Sequence, residues 1–272
     1  MSQAIELPLK NRLAGARYIR SGVVYLRHRG LTANDVFLAS YPKSGNTWLK
    51  FLLCQLLTKS EVDFQTAEEL LPGIGHHQQS KGILPSNGRL IKTHEPYRNE
   101  YRKAILLVRD GRDVLVSYYY HNARVGRLTG EFGDSLPVLL EGKTDFYGSW
   151  HNYIHSWLDS SVYKNGDVCL VRYEDCLTTP NDVLKQICRY LGVSATDAEI
   201  QAAIDANTAD KMRAKEAQGD DGIVKHKKPV FFVRKASKGN WRDYFSPEQH
   251  DLFMQKAGSA MERLGYSCEY SE

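Results

Sequence analysis

The stretch VFLASYPKSGNTW, residues 36–48, decides the fold of this chain. Its first four residues, Val36 to Ala39, form a short apolar run that is typical of a strand buried on both faces of a parallel sheet. A turn that contains a glycine follows, and the apolar residues between Asn46 and Leu57 then recur at helical spacing. We therefore predict a strand, a turn and a helix in succession, which together make the first βα unit of the chain.

The same alternation of strands and helices continues towards the C-terminus. Further buried strands are predicted at residues 89–92, 104–108 and 167–171. Further helices are predicted at residues 113–121, 148–160, 182–191 and 197–206, and after Ser246, which is followed by a proline typical of a first helical turn. Strands that alternate with helices predict a parallel sheet covered on both faces. We expect a single α/β domain with a central parallel sheet flanked by helices and a P-loop-like first turn.

The N-terminal part has a different pattern. Residues 8–28 place apolar side chains at steps of three and four, with lysine and arginines on the other side, which predicts a basic amphipathic helix. We divide the chain into a basic N-terminal arm, residues 1–30, and a main domain, residues 31–272. The arm is expected to pack on the main domain rather than to lie on a membrane surface. Residues 217–239 show no periodicity and predict a loop.

The composition excludes several classes of protein. Of the 272 residues, 42% are apolar and 25% are charged, which is typical of globular domains rather than of disordered or fibrous chains. The formal net charge of +4 is mild, so we expect no nucleic-acid partner, although it suits an anionic ligand in one basic pocket. The five cysteines are widely spaced without a C-x-x-C pair, which predicts neither disulfides nor a zinc knuckle. No apolar run approaches the roughly 18 residues of a membrane span and no signal peptide is visible, so we expect a cytoplasmic protein.

The turn between the first strand and the first helix predicts an anion site. At such a turn, successive backbone N–H groups and the positive end of the helix dipole converge on one point. Lys43 adds a charge, Ser44 and Thr47 add hydroxyl donors, and Gly45 lets the backbone approach a ligand closely. The turn lacks the Gly-Lys-Ser/Thr triplet that ends a Walker A motif. We therefore expect it to hold phosphate in a P-loop-like way.

Residues 41–48, Tyr-Pro-Lys-Ser-Gly-Asn-Thr-Trp, resemble the 5′-phosphosulfate loop of the soluble, cytosolic-type sulfotransferases, which use 3′-phosphoadenosine 5′-phosphosulfate (PAPS). Three more blocks are similar to that family, in the expected order. Lys92-Thr93-His94 resembles the segment with the catalytic histidine, and residues 109–118, RDGRDVLVSY, resemble the 3′-phosphate site. Residues 234–242, RKASKGNWR, resemble the C-terminal RKGxxGDWK element, with Ala236 and Asn240 in place of the family's glycine and aspartate.

The resemblance implies an in-line transfer of a sulfuryl group from PAPS to a hydroxyl or amine of a small molecule, with no metal required. The acceptor would be a phenol, an alcohol, an amine or a natural product. By the same resemblance, Lys43 would neutralise the bridging oxygen of the donor, Lys92 would share that charge, and His94 would act as the general base. The residues that would hold the donor are Lys43, Ser44, Gly45, Asn46, Thr47, Trp48, Arg109, Ser117, Tyr173, Thr208, Arg234 and Lys235.

Two other functions stay open at this point. The predicted strand at residues 104–108, followed by Arg109-Asp110, is also compatible with the Walker B strand of a P-loop nucleotide kinase, which would need magnesium. The second alternative is a nucleotide-binding scaffold without activity, in which His94 is a structural histidine. Judged in isolation, Arg109 is equally well interpreted as a strand-end arginine that pairs with Asp110 or Asp113.

Histidines and tyrosines outside these blocks have structural as well as functional interpretations. His151 and His155 stand four residues apart on a predicted helix, but the glutamate of a zinc-binding H-E-x-x-H is missing, so packing is the preferred interpretation. His76-His77 lies in a glycine-rich segment that is interpreted as part of an acceptor gate or as a solvent-exposed turn. In the run Tyr118–Tyr120 we expect one ring to be buried and a second to line the acceptor site. The acceptor's identity and the oligomeric state are left open.

Overall fold

The structure is a computed structural model that describes residues 17–218 and 238–270. Four parallel strands form the central sheet in the order β2-β1-β3-β4. Their bounds are Val36–Ser40 for β1, Leu90–Thr93 for β2, Lys103–Val108 for β3 and Val168–Arg172 for β4. The sequence predicted each of these four strands to within one residue at either end. The α/β class and the parallel sheet are thus confirmed.

Helices connect the strands and cover both faces of the sheet. In chain order they are α1 (Arg17–Arg27), α2 (Asn46–Thr58), α3 (Phe64–Leu70), α4 (Gly111–Arg124), α5 (Phe132–Leu140), α6 (Trp150–Leu158), α7 (Ser161–Lys164), α8 (Tyr173–Thr178), α9 (Pro180–Leu191), α10 (Asp197–Ala206), α11 (Ala209–Gln218) and α12 (Pro247–Arg263). Two short 3₁₀ helices span His77–Gln79 and Asn240–Asp243. The helices predicted from the sequence correspond to α2, α4, α6, α9, α10 and α12.

Local sequence explains where several of these helices begin and end. At the start of α10 the Glu199 N–H donates to the Thr196 hydroxyl, while the Glu199 side chain accepts from the Thr196 N–H, which is a capping box. A capping box also starts α12 at Ser246, with Pro247 in the first turn, as the sequence predicted. At the end of α9, Gly192 takes the left-handed conformation with a φ of 68°, which glycine adopts easily.

The sheet is buried on both faces because its central strands present apolar side chains in both directions. Phe37 and Ala39 of β1 belong to one apolar cluster, which includes residues of α4, α5, α6 and α12. Val36 and Leu38 belong to a second cluster, which includes residues of α2, α9, α10 and α11. Since neighbouring residues of a strand point to opposite faces, these two clusters lie on opposite sides of the sheet. This burial explains why β1 and β3 occur in the sequence as continuous apolar runs.

The N-terminal helix α1 contacts the rest of the protein at its C-terminal end. There Arg27 pairs with the buried carboxylate of Glu95 at 2.9 Å. The helix predicted over residues 8–28 is thus described from Arg17 onwards, and residues 8–16 lie outside the described residues. The division into an arm and a main domain stays a prediction.

The glycine-rich segment after α3 is not a solvent-exposed turn throughout. His76 is exposed, but His77 is fully buried, and its Nδ1 accepts the Gly75 N–H at 3.2 Å. Arg89, just before β2, donates to the His77 carbonyl oxygen at 3.0 Å. The prediction of a solvent-exposed turn is therefore wrong for His77, because its backbone and its ring tie this segment to the sheet.

The cysteines and the spaced histidines of α6 have structural roles. All five cysteines are free thiols, and four of them are buried. His155 accepts a hydrogen bond from Arg263 at 2.9 Å, and His151 contacts the Ser149 hydroxyl at 3.2 Å, so both rings are engaged by neighbouring side chains. Within residues 17–218 and 238–270, no three potential metal ligands are grouped together.

Two predictions concern the parts of the chain that the structure describes incompletely. None of the helices described for residues 17–218 and 238–270 combines the length and the apolar character that a bilayer crossing needs. The cytoplasmic location stays a prediction. The loop predicted at residues 217–239 falls mostly on residues 219–237, which lie outside the described residues.

Candidate active site

A cavity of about 400 Å³ opens at the carboxyl end of the parallel sheet. Each strand contributes to it at or just after its last residue: β1 through the loop that follows it, β2 through Lys92 and His94, β3 through Arg109, and β4 through Tyr173. The carboxyl ends of parallel strands are where α/β sheets bind their ligands. The structure therefore brings together four segments that are far apart in the sequence and that the sequence had singled out.

The loop after β1 presents an uncapped helix N-terminus to this cavity. Lys43 and Gly45 both take left-handed conformations, with φ of 69° and 97°, and Gly45 is the residue before α2. No side chain caps the helix, and its first internal bond runs from the Leu49 N–H to the Gly45 carbonyl oxygen at 3.2 Å. The N–H groups of the first turn therefore point outward without a capping side chain, which is the arrangement that binds anions.

Gly45 is required by the wall of the cavity as well as by its own φ. A Cβ at this position would lie 2.5 Å from Cδ2 and 2.7 Å from Cε2 of Tyr173. The sequence had assigned this glycine to the close approach of a ligand, whereas in the structure a protein ring occupies the space beside it. The Tyr173 ring is buried, and the Arg109 guanidinium carbon lies 4.5 Å from its centroid. Gly45, Tyr173 and Arg109 are thus held against one another.

The end of the cavity beyond Tyr173 is apolar and aromatic. The Trp48 ring meets the Tyr173 ring edge-on at 6.1 Å, and its Nε1 donates to the Asn207 carbonyl oxygen at 2.8 Å, which fixes the plane of the indole. Leu177 and Met212 complete this apolar end. A flat apolar surface of this kind suits a nucleotide base.

Thr208 is the one residue assigned to the base pocket that does not line the cavity among the described residues. It is exposed, and its hydroxyl accepts the Lys211 N–H at 3.5 Å at the start of α11. Its neighbours Asn207 and Ala209 do contribute, the first through its carbonyl oxygen and the second to the lining. The role predicted for Thr208 stays a prediction.

Of the four described lysines and arginines that line the cavity, Lys43, Lys92 and Arg109 belong to or directly follow the strand ends, and Arg127 lies beyond α4. Burial and the charges of Arg124 and Arg109 lower the pKa of Lys43 to about 8. Burial, followed by the charge of Lys50, lowers the pKa of Lys92 to about 8. Within the described residues no carboxylate lies within 4.0 Å of the Lys92 ammonium group. A partly buried cation without a carboxylate partner is stabilised by an anionic ligand.

Arg109 forms the ion pair of its structural interpretation, and its place in the cavity is compatible with the functional one. It pairs with Asp113 at 3.6 Å, and it also lines the cavity and donates to the Lys43 carbonyl oxygen at 3.3 Å. Asp113 in turn accepts the N–H groups of Gly239 at 2.8 Å and Trp241 at 2.9 Å. These bonds draw Gly239 and Trp241 to the same end of the sheet, and Asn240 between them lines the cavity. Arg234 and Lys235, which were predicted to bind the donor, lie outside the described residues.

The remaining polar residues of the predicted set divide between the cavity and the loop itself. Thr47 and Ser117 line the cavity. Asn46 also lines it, but its side-chain amide donates to the Ser40 hydroxyl at 2.9 Å and thus ties the loop to β1. Ser44 is buried, and its hydroxyl has no hydrogen-bond partner among the described residues.

His94 faces the cavity from the end of β2 with a defined tautomer. Its Nδ1 donates to the Ser40 carbonyl oxygen at 2.7 Å. A carbonyl oxygen can only accept, so Nδ1 carries the ring proton and Nε2 keeps its lone pair. Burial, followed by the charge of Lys92, lowers the pKa of His94 to about 3, so the ring is neutral.

In the wall opposite the nucleotide end, sequence reasoning singled out only the run Tyr118–Tyr120, although it expected residues 122–147 to be one of the loops that build the acceptor pocket. This wall consists of Tyr118, His121, Arg127, Asp145, Phe146 and Tyr147. Tyr118 is both buried and part of the lining, whereas the sequence had assigned these two roles to different tyrosines. His121 lies one helical turn after Ser117, so helical periodicity could have found it. Arg127 and Asp145 lie beyond helix ends, where no periodicity applies.

The part of the cavity around Lys43, Lys92 and Trp48 fits an anionic adenine nucleotide. Cations and uncapped N–H groups supply the anion site, and the aromatic end supplies a surface for the base. Known proteins agree with this assignment. The sequence model described as the sulfotransferase domain matches residues 33–265.

Curated relatives and a solved structure agree as well. The chain is 28% identical over 236 residues to sulfotransferase 2A1 of Rattus norvegicus, which covers 80% of this chain and 81% of that protein. It is 28% identical over 246 residues to sulfotransferase 1B1 of Canis lupus familiaris, which covers 81% of each. The crystal structure of mouse sulfotransferase SULT7A1 complexed with PAP has a TM-score of 0.68 at 25% identity and covers 88% of both chains.

A more distant structure supports the fold alone. Retinol dehydratase, solved with retinol and PAP, has a TM-score of 0.67 at 20% identity and covers 94% of this chain and 88% of that chain. PAP is the nucleotide that remains after PAPS has transferred its sulfuryl group. These findings decide between the alternatives that the sequence left open, and neither the nucleotide kinase nor the inactive scaffold is retained. The chain belongs to the sulfotransferase family, and its activity is the transfer of a sulfuryl group from PAPS.

Proposed function

We propose that this sulfotransferase transfers the sulfuryl group of PAPS to a hydroxyl or amine of a small-molecule acceptor, with His94 as the general base. The observation that carries the proposal is the hydrogen bond from His94 Nδ1 to the Ser40 carbonyl oxygen, at 2.7 Å. Because this bond holds the ring proton on Nδ1, the lone pair of Nε2 stays available. Removal of the acceptor's proton requires such a lone pair.

The pKa of His94 supports this role. In the protein alone the pKa of His94 is lowered to about 3. The ring is therefore neutral near pH 7, and its Nε2 is not already occupied by a proton from solvent. The negative charge of a bound donor opposes the charge of Lys92, which is the second cause of that low pKa. Donor binding therefore raises the pKa of His94 and makes it a stronger base. On this proposal the base gains strength only when the donor is in place.

Lys43 and Lys92 are proposed to stabilise the charge that develops during transfer. The acceptor oxygen or nitrogen forms its bond to sulfur as the bond from sulfur to the 5′-phosphate oxygen breaks. The electron pair of that bond stays on the phosphate oxygen, and the acceptor's proton passes to His94 Nε2. Because the transition state of such transfers is loose, charge on the leaving oxygen is large and nearby cations are effective.

The proposed acceptor class follows from the wall beside His94. The Tyr147 ring meets the His94 ring edge-on at 5.7 Å, and Tyr118 and Phe146 lie in the same wall. Aromatic side chains that surround a reactive group suit an acceptor with a flat or alicyclic body. We therefore expect phenols and ring-bearing alcohols or amines to be better acceptors than open-chain ones.

Transfer of label from radiolabelled PAPS to a panel of phenols, alcohols and amines tests the acceptor class. At least one aromatic or alicyclic acceptor should yield a labelled product, and EDTA should leave its rate unchanged. A panel in which no phenol, alcohol or amine becomes labelled would contradict the proposal.

Replacement of the proposed base tests its role. His94→Gln should lower kcat by about 10²–10⁴-fold, because the proton can no longer be taken up. The Kd for PAP, measured by calorimetry, should change by less than about threefold, because binding does not use the base. His76→Gln is the matched control, since His76 is exposed and lies outside the lining. Activity retained in His94→Gln would show that His94 is not the base.

A further inference from the structure

We propose that the acceptor carries a carboxylate or a comparable anionic group, and that Arg127 binds this group at the end of the cavity opposite the nucleotide. This inference rests on the proposed function and names its substrate class more closely. Arg127 lines the same cavity as His94. No motif in the sequence points to it.

The position of Arg127 is fixed by the end of α4. Its backbone N–H donates to the carbonyl oxygen of Asn122 at 2.8 Å. Asn122 is fully buried, and its side-chain amide donates to the Tyr118 carbonyl oxygen at 2.8 Å. Asn122 is thus itself anchored in the helix, so the backbone of Arg127 is fixed just beyond the end of α4, and its side chain lines the cavity.

The hydrogen-bonding capacity of this arginine is largely unused within the described part of the chain. Its one side-chain hydrogen bond there is a long one, from Nη1 to the Asn122 amide oxygen at 3.5 Å. No carboxylate of residues 17–218 or 238–270 forms an ion pair with it. A guanidinium carries a permanent charge and five N–H donors in a geometry that matches a carboxylate. A ligand group of that kind would satisfy it.

The surroundings of Arg127 place it with the acceptor rather than with the donor. Burial, followed by the charges of Lys43 and Arg127, lowers the pKa of His121 to about 4. Burial raises the pKa of Tyr147 to about 12, and the charge of Arg127 opposes that rise. Tyr147 contacts His94, whereas the donor's anions have Lys43, Lys92 and Arg109 at the strand ends. An acceptor that spans from His94 to Arg127 would therefore run along Tyr147.

Two neighbours refine the proposed anion site. His121 is neutral at pH 7, because burial, assisted by nearby cations, lowers its pKa to about 4, and a neutral imidazole can still donate one N–H to an anion. Asp145 lies in the same wall. Its Oδ1 accepts the Tyr147 N–H at 2.9 Å and thus stabilises the local turn of the backbone. The anionic group of the acceptor is therefore expected between His121 and Arg127, away from Asp145.

Binding to the PAP-saturated enzyme tests the inference independently of turnover. The probes are 3-(4-hydroxyphenyl)propionate, its neutral amide and tyramine, which share a phenol and differ in charge. The carboxylate should bind at least about tenfold more tightly than the amide, since a hydrogen-bonded charge pair is worth that much or more. Tyramine should bind most weakly.

Variants identify the residue responsible. Arg127→Gln should remove the preference for the carboxylate and leave the amide's Kd within about threefold, whereas Arg127→Lys should keep part of the preference. Arg102→Gln is the matched control. Arg102 is exposed and directly precedes β3, at the amino ends of the strands and away from the cavity at their carboxyl ends. Thermal unfolding of each variant confirms that it folds.

The outcomes separate this inference from the function on which it rests. If the carboxylate binds no better than the amide, or if neither binds to the PAP complex at millimolar concentration, the inference is overturned while PAPS-dependent transfer stands. If Arg127→Gln weakens PAP binding instead, Arg127 serves the donor and the inference is also overturned. If no small acceptor is labelled from PAPS, the proposed function fails, and the inference fails with it.

Discussion

The proposed donor half of the cavity, built around Lys43, Lys92, Arg109 and Trp48, differs in construction from the proposed acceptor half, built around His121, Arg127 and Tyr147. The donor half takes its residues from the ends of neighbouring strands and from one helix N-terminus, so the backbone of the sheet sets their spacing. The acceptor half takes its residues from the last turn of α4, from the segment just after it and from the segment after α5. Loops of this kind vary without disturbing the sheet.

This difference teaches where reaction and specificity reside in the molecule. The donor is the same for every acceptor, so its half can be built into the strand ends. The charge and shape of the acceptor half can change through residues that lie outside the strands and the starts of helices. The predictions below test this contrast, beginning with the donor half.

Lys43→Met should lower kcat by about 10³-fold, because it removes a cation from the leaving oxygen, while the Kd for PAP rises far less. Lys59→Met is a closely matched control. Lys59 also takes a left-handed conformation, with φ of 56°, but it lies at the other end of α2 and pairs with Glu199. Steady-state kinetics and PAP calorimetry measure both effects. Equal losses of kcat and of PAP affinity would place Lys43 in ground-state binding instead.

Gly45→Ala should weaken PAP binding by about 100-fold and destabilise the protein by roughly 2–4 kcal/mol, because strain at positive φ adds to a clash with Tyr173. Gly192→Ala separates the two causes. Gly192 also has a positive φ, 68°, but an added Cβ would meet nothing within 4 Å. That control should therefore lose only about 1 kcal/mol and keep full PAP affinity. Chemical denaturation gives the stabilities, and a harmless Gly45→Ala would contradict the packing described here.

PAP affinity should fall by roughly tenfold for each of Lys43 and Lys92 as the pH rises from 7 to 9. Both lysines have a pKa near 8 in the protein alone, and only the protonated form attracts the nucleotide. Binding near pH 8 should accordingly take up protons, which calorimetry in buffers of different ionisation enthalpy detects. Lys92→Met should remove part of this pH dependence. A pH-independent Kd between pH 7 and 9 would contradict it.

Trp48→Ala should weaken PAP binding by about tenfold, the smallest of these effects, because one stacking surface for the base is lost. Trp48→Phe keeps a ring but loses the hydrogen bond to the Asn207 carbonyl oxygen. Its Kd for PAP should therefore lie between those of the unchanged protein and of Trp48→Ala. Fluorescence or calorimetry gives the Kd values. An unchanged Kd in Trp48→Ala would remove this residue from the base pocket.

The sequence predicted which residues would meet at the strand ends, because their determinants are local. A short apolar strand, a glycine turn and a helix start follow one another within residues 36–48, and His94 and Arg109 directly follow buried strands. The acceptor half could not be predicted in the same way. Arg127 reaches the cavity because Asn122, itself buried by tertiary packing, holds its backbone.

Long-range contacts account for the other differences. The need for glycine at position 45 comes from the Tyr173 ring, which belongs to a segment that follows a different strand. The backbone of His77 is bound by Arg89, the residue before β2. Neither contact leaves a local pattern in the sequence. Thr208 was assigned to the base pocket by resemblance alone. It is exposed in the structure, and its role stays a prediction.

The state of the His94 ring is the most direct test of the account, because the transfer proposed here needs a neutral base with its Nε2 lone pair in the cavity. A nitrogen–proton NMR correlation spectrum of the histidine rings, assigned by comparison with His94→Gln, reports both the tautomer and the charge. In the free protein the account predicts a ring protonated on Nδ1 alone, with no titration from about pH 8 down to about pH 5, where an ordinary histidine would become charged. A ring protonated on Nε2, or one that becomes charged near pH 6.5, would contradict it.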